Sequence, residues 1–124
     1  MPKLHLTKCE LEVMDVVWQK GRATVQDVVD SLERPLAYTT VMTTLKILDE
    51  QRAVVRRRKE GRAYVYEPIV SREEISSSMA ADLTQRLFGG SVKSFVLSLV
   101  ESDSMSQSDI EELKQAIESL EKEA

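Results

Sequence analysis

The sequence predicts a mainly α fold carrying one small β-hairpin and followed by a further helical region. Apolar residues recur at helical spacing in three successive segments before residue 50. The run AVVRRRKEGRAYVYEP then switches to β-branched and aromatic residues around a central glycine. Helical spacing resumes after Ser71 and continues to the end of the sequence. A chain of 124 residues holds one ordinary domain, or a small domain with a helical appendage, and its core must be modest.

Thr7 followed by Glu10 has the spacing of a capping box. Leu11, Met14, Val17 and Trp18 then share a face until Gly21 stops the run, which gives a helix over about 7–20. Thr24 with Asp27 opens a second, short helix whose Val25, Val28, Val29 and Leu32 line one side, and Arg34-Pro35 ends it. A third helix begins near Tyr38, with Val41, Leu45 and Leu48 as its inward stripe and Thr39, Thr40, Met42, Thr43 and Lys46 off that stripe. The next segment reads as a two-stranded hairpin turning at Glu60-Gly61 and terminated by Pro68. Ser71 with Glu74 caps a fourth helix through about Leu87, and Gly89-Gly90 breaks it. Val92 to Glu101 forms a short fifth helix. Ser106 with Asp109 caps a sixth, on which Ile110, Leu113, Ile117 and Leu120 align.

Composition narrows the function classes. Apolar residues make up 42% and charged residues 31%, so the chain is too hydrophobic for disorder throughout. Its longest apolar stretches, such as Val96 to Val100, fall far short of the roughly 20 residues of a membrane helix. No signal-peptide core follows Met1, and a cytoplasmic location with no membrane partner is expected. Cys9 is the single cysteine, which excludes an internal disulfide and a zinc finger. A thiolate near a helix N-terminus can serve as a redox sensor, but the absence of a basic partner beyond Lys8 favours a small semi-buried residue. With His5, Cys9 offers two metal ligands where about four are usual, so neither metal nor cofactor is expected. The chain also lacks a phosphate-cradling glycine loop, paired histidines and a nucleophile elbow, and no catalytic residues are assigned.

The net charge of −4 conceals an asymmetry, because binding responds to local clusters. Residues 1–70 carry +2 and residues 71–124 carry −6. Arg56, Arg57, Arg58, Lys59 and Arg62 crowd the hairpin against the one acid Glu60. Edge-strand protection needs only one or two lysines, whereas a run of arginines fits a phosphate backbone. On the third helix, threonine hydroxyls suit phosphates or base edges, their methyls and Met42 suit thymine methyls, and Lys46 suits guanine or a phosphate. Threonine is a middling helix former, so four within six residues, Thr39, Thr40, Thr43 and Thr44, call for a reason other than helix stability. Three helices followed by a basic hairpin follow the chain order of a winged helix-turn-helix, whose third helix enters the major groove. The Ile110 to Leu120 stripe fits either an internal core or a dimer seam. The seam is favoured, since a small domain already occupied by its own core offers it no cover. A winged-helix module that binds an acidic protein surface instead of DNA is the alternative reading.

The segments LTKCELEVMDVVWQKGRATVQDV and AYTTVMTTLKILDEQRAVVRRRKEGRAYVYEP resemble the penicillinase and methicillin-resistance repressor family (BlaI/MecI/CopY). The most specific pieces are Glu12 to Trp18, the YTTVMT run and GRAYVYEP, with FGGSVKSFVLSLVES extending the likeness toward the C-terminus. The resemblance implies a winged-helix homodimer that binds a palindromic double-stranded operator, represses transcription and uses Tyr38 to Leu48 as its recognition helix. It also implies a regulatory protease as a partner. The family's cleaved Asn-Phe bond corresponds here to Ser98-Leu99, so this chain lacks the asparagine that such a protease reads. Paired C-terminal cysteines of the copper-responsive relatives are absent, which excludes copper sensing by that route. The expected organisation is a winged-helix DNA-binding domain over residues 1–70 and a helical dimerisation region over residues 71–124.

Overall fold

A computed structural model of the chain describes residues 4–123. In chain order it contains α1 (Lys8–Lys20), α2 (Val25–Ser31), α3 (Tyr38–Glu50), β1 (Val55–Glu60), β2 (Ala63–Pro68), α4 (Arg72–Phe88), α5 (Val92–Glu101) and α6 (Gln107–Glu123). The chain divides into two compact units at residues 80 and 81, so the first turns of α4 belong with the hairpin unit.

In the first unit, α1 opens on a complete capping box: the Thr7 hydroxyl accepts from Glu10 N–H, and the Glu10 carboxylate accepts from Thr7 N–H. It ends on Gly21, whose φ of 78° is accessible to glycine without a Cβ penalty. Thr24 and Asp27 cap α2 in the same reciprocal way. α3 starts at Ala37 without a side-chain cap. Its buried positions are Val41, Thr44, Leu45 and Leu48. Val13, Met14 and Val17 of α1 and Val25 and Val28 of α2 join the apolar members of that stripe in one core, with Val54, Val55, Tyr66 and Ile75. Ile75 is buried there because the start of α4 is held to α1: Arg72 lies 2.5 Å from Asp15 and stacks on Trp18, whose indole N–H donates to the Val70 carbonyl.

The hairpin is antiparallel, with Val55 opposite Pro68 and Glu60 opposite Ala63. Its two-residue turn is therefore Gly61-Arg62 rather than Glu60-Gly61. Gly61 has φ 62°, the glycine-first arrangement that suits the twist of paired strands. A single bridge attaches the hairpin to the loop before α2: Ala23 N–H donates to Tyr66 O (3.0 Å) and Tyr66 N–H donates to Ala23 O (2.8 Å). Arg22, next in that loop, pairs with Glu60 near the hairpin tip.

In the second unit, Ser91 caps α5 through Ser94 N–H, and Ser106 and Asp109 form the reciprocal cap of α6. Phe88 and Phe95 pack at 5.1 Å between ring centres. Among the described residues, neither α5 nor α6 buries a side chain. No described helix is long and apolar enough to cross a membrane.

Candidate nucleic-acid interface

The exposed side of α3 follows from its buried stripe. With Val41, Leu45 and Leu48 fixed in the core, Tyr38, Thr39, Thr40, Met42, Thr43 and Lys46 are left exposed, Tyr38 at 49% and Met42 at 45%. The fourth threonine of the cluster behaves differently. Thr44 is buried and its hydroxyl donates to the Thr40 carbonyl at 2.8 Å, so it belongs to the helix's inner side and does not share the reason for the exposed three. Cys9 lies behind it, half-buried, with Sγ 3.7 Å from the Thr44 hydroxyl.

Beside this face, α3 and the hairpin enclose an open groove of about 770 Å³. Tyr38, Met42, Thr43 and Lys46 form one wall and Arg57 and Arg62 stand on the other, with Tyr64 and Tyr66 between. Thr39, Thr40, Arg56, Arg58 and Lys59 are exposed but do not line it. Thr24, Val25 and Gln26 of the α2 start and Glu50 at the α3 end also contribute. Sequence reasoning does not reach those contributors. The two tyrosines carry a signal, since they alternate along β2 as Arg57 and Lys59 do along β1; Gln26 carries none, because its place depends on how α2 packs against α3.

Strand parity divides the five hairpin cations. Arg57 faces Tyr66 and Lys59 faces Tyr64 across the ladder, so these four share a side. Arg56 and Arg58 project from the opposite side, where both approach Glu67, at 3.4 and 3.7 Å. The Arg57 guanidinium lies over the Tyr64 ring, 4.2 Å from its centre. Among the described residues, Lys46, Lys59 and Arg62 have no carboxylate within ion-pair distance. Burial pushes the Tyr66 hydroxyl above its usual pKa, opposed by the nearby charge of Arg57. Tyr66 therefore stays neutral across the neutral range and sets no negative charge against the groove.

The interface is supported from beneath. Glu10 is buried at the start of α1 and receives Arg52, two residues beyond the end of α3, through two hydrogen bonds of 2.9 and 3.4 Å. Burial alone would raise the Glu10 carboxyl, but the hydrogen bonds from Arg52 and Thr7 outweigh it and hold the group below its ordinary value. Ser98 and Leu99 sit within α5, both exposed. Ile110 is half-buried, and Leu113, Ile117 and Leu120 are exposed along α6.

A family model described as penicillinase repressor matches residues 6–119. A penicillinase repressor of Bacillus licheniformis is 30% identical over 116 residues, spanning 92% of this chain and 90% of its own length. A transcriptional regulator BlaI of Mycobacterium tuberculosis is 35% identical over 126 residues, spanning 98% of this chain and 89% of its own. Among solved structures, the solution structure of the DNA binding domain of the repressor BlaI superposes with a TM-score of 0.50 at 28% identity. That match covers 56% of this chain and 85% of that domain.

Proposed function

Belonging as it does to the penicillinase repressor family, the chain is a DNA-binding transcriptional repressor, and we propose that α3 enters the major groove while the hairpin acts as a wing on the phosphate backbone. The observation that carries this placement is the groove in which Thr43, Met42 and Lys46 meet Arg57 and Arg62. A helix of 13 residues is about 20 Å long, and a major groove about 12 Å wide admits it. Thr39, Thr40 and Thr43 supply hydroxyls and methyls, Tyr38 and Met42 supply apolar contact, and Lys46 supplies a charge. Arg57, Lys59 and Arg62 meet phosphates from the groove side, with Arg56 and Arg58 adding charge from the other. The chain works as a regulator in the cytoplasm and not as an enzyme.

The repressor acts as a homodimer on a palindromic site. Support comes from the second unit, where Leu113, Ile117 and Leu120 remain exposed along one helix, as an unpaired seam would be. Cleavage at Ser98-Leu99 by a regulatory protease would cut α5 and separate α6 from the DNA-binding unit. Unwinding of α5 must come first, since a bond in an intact helix does not present the extended backbone that most proteases need.

Selection of bound sequences from a randomised duplex pool at low salt tests the reading. The chain should enrich a defined site. Alanine at Thr40, Thr43 or Lys46 should then reduce discrimination at single positions by about 1–3 kcal/mol for a base contact, or weaken all sequences alike for a phosphate contact. Binding that enriches no sequence, and does not respond when all three are replaced, would instead favour the protein-binding module.

A further inference from the structure

We propose that Tyr64 is a positioning residue for DNA binding: its ring holds the Arg57 guanidinium over the groove, so that Arg57 meets a phosphate already oriented, while Lys59 and Arg62 must be ordered on contact and Arg56 and Arg58 must leave Glu67. This inference rests on the placement of α3 and the wing on DNA. Among the five wing cations, Arg57 alone is fixed without a carboxylate. Arg56 and Arg58 are drawn to Glu67, and Lys59 and Arg62 have no ion partner among the described residues.

Arg57 lies 4.2 Å over the Tyr64 ring and directly across the ladder from Tyr66. The strand carrying both tyrosines is itself pinned by the paired hydrogen bonds between Tyr66 and Ala23. The ring is 42% exposed and contributes little to the core, so its burial does not account for its position against the guanidinium. A cation on an aromatic face keeps its full charge and leaves its outward N–H groups available, whereas a carboxylate partner would neutralise it and occupy those donors. Holding an arginine in its bound geometry lowers the ordering cost of contact, and the guanidinium is planar enough to stack and donate at once.

The test is a double-mutant cycle on the full-length chain, measured by equilibrium binding to one selected duplex across a salt series. Tyr64→Leu keeps an apolar side chain but removes the ring face, and should weaken binding about two- to fivefold. The salt slope should be unchanged, because the number of neutralised phosphates stays the same. Tyr64→Phe, which retains the face and removes only the hydroxyl, should bind as the parent does. Arg57→Gln should weaken binding and make the slope shallower, and in that background Tyr64→Leu should cost nothing more. Far-UV circular dichroism and the melting temperature identify any variant that has lost its fold, and Tyr64→Phe provides the comparison that keeps the ring. Equal losses from Tyr64→Leu with and without Arg57 would show that Tyr64 touches DNA itself and would overturn the inference. So would a loss with Arg57→Gln but none with Tyr64→Leu. If Arg57→Gln alone changes nothing, the placement of the wing on DNA fails, and this inference fails with it.

Discussion

At the scale of single residues, one ion pair braces the helices beneath the candidate interface. Glu10 and Arg52 tie the start of α1 to the chain just beyond the end of α3, and Glu10 also completes the capping box of α1. The folded carboxyl is held below the glutamate value near 4.5, so its contribution is fully present above that pH and is lost as pH falls through the depressed folded value. Glu10→Gln keeps an acceptor for the cap and removes the charge. It should cost about 1–2 kcal/mol at pH 7, discounted for the partly exposed Arg52, and the difference from the parent should shrink as pH falls below about 4.5. Urea unfolding at pH 7 and at pH 3.5 measures both values. A difference that grows on acidification would contradict the assigned direction.

Among elements, the wing separates what sequence carries from what it does not. The density of arginine is visible in the letters, but the division between Arg57 on the groove side and Arg56 with Arg58 on the other depends on pairing. Turning at Glu60-Gly61 would put Arg57 opposite Tyr64 and Glu67 opposite Val54. Turning one residue later puts Arg57 opposite Tyr66 and gives Arg56 its carboxylate. The helices are more legible, because capping pairs and a 3.6-residue period are local signals: Thr7 with Glu10 and Ser106 with Asp109 mark two starts correctly. Thr44 reads like its threonine neighbours, since composition cannot show that its hydroxyl turns back to Thr40. The contribution of Gln26 to the groove is invisible in sequence because it arises from packing between α2 and α3. The wing's division has a measurable consequence. Replacing Arg57 and Arg62 with glutamine should reduce the slope of log affinity against log salt by about 0.9 for each phosphate that a subunit no longer neutralises. Replacing Arg56 and Arg58 should reduce it less, as their charge is already shared with Glu67. Equal reductions in the two double variants, read from fluorescence anisotropy titrations, would show that wing face does not matter.

For the whole molecule, the proposed dimerisation region over residues 71–124 would join two DNA-binding units. Linking two modules raises apparent affinity by roughly 10²–10⁴ without any new interaction, provided both sites can be engaged together. Truncation after Ser98 removes α6 and should yield a monomer by sedimentation. That monomer should bind a two-half-site duplex more weakly by about this factor and bind a single half-site nearly as the full chain does. A truncated chain that still sediments as a dimer and holds the full operator would exclude α6 as the seam. Sequence-specific binding by a paired repressor is tested by a footprint of the full-length chain on a duplex recovered by selection. Two protected half-sites related by symmetry are predicted, their centres about 34–36 Å apart or a multiple of that, with the strongest protection in the major groove. Uniform protection with no preferred site, or no protection even at low salt, would contradict it.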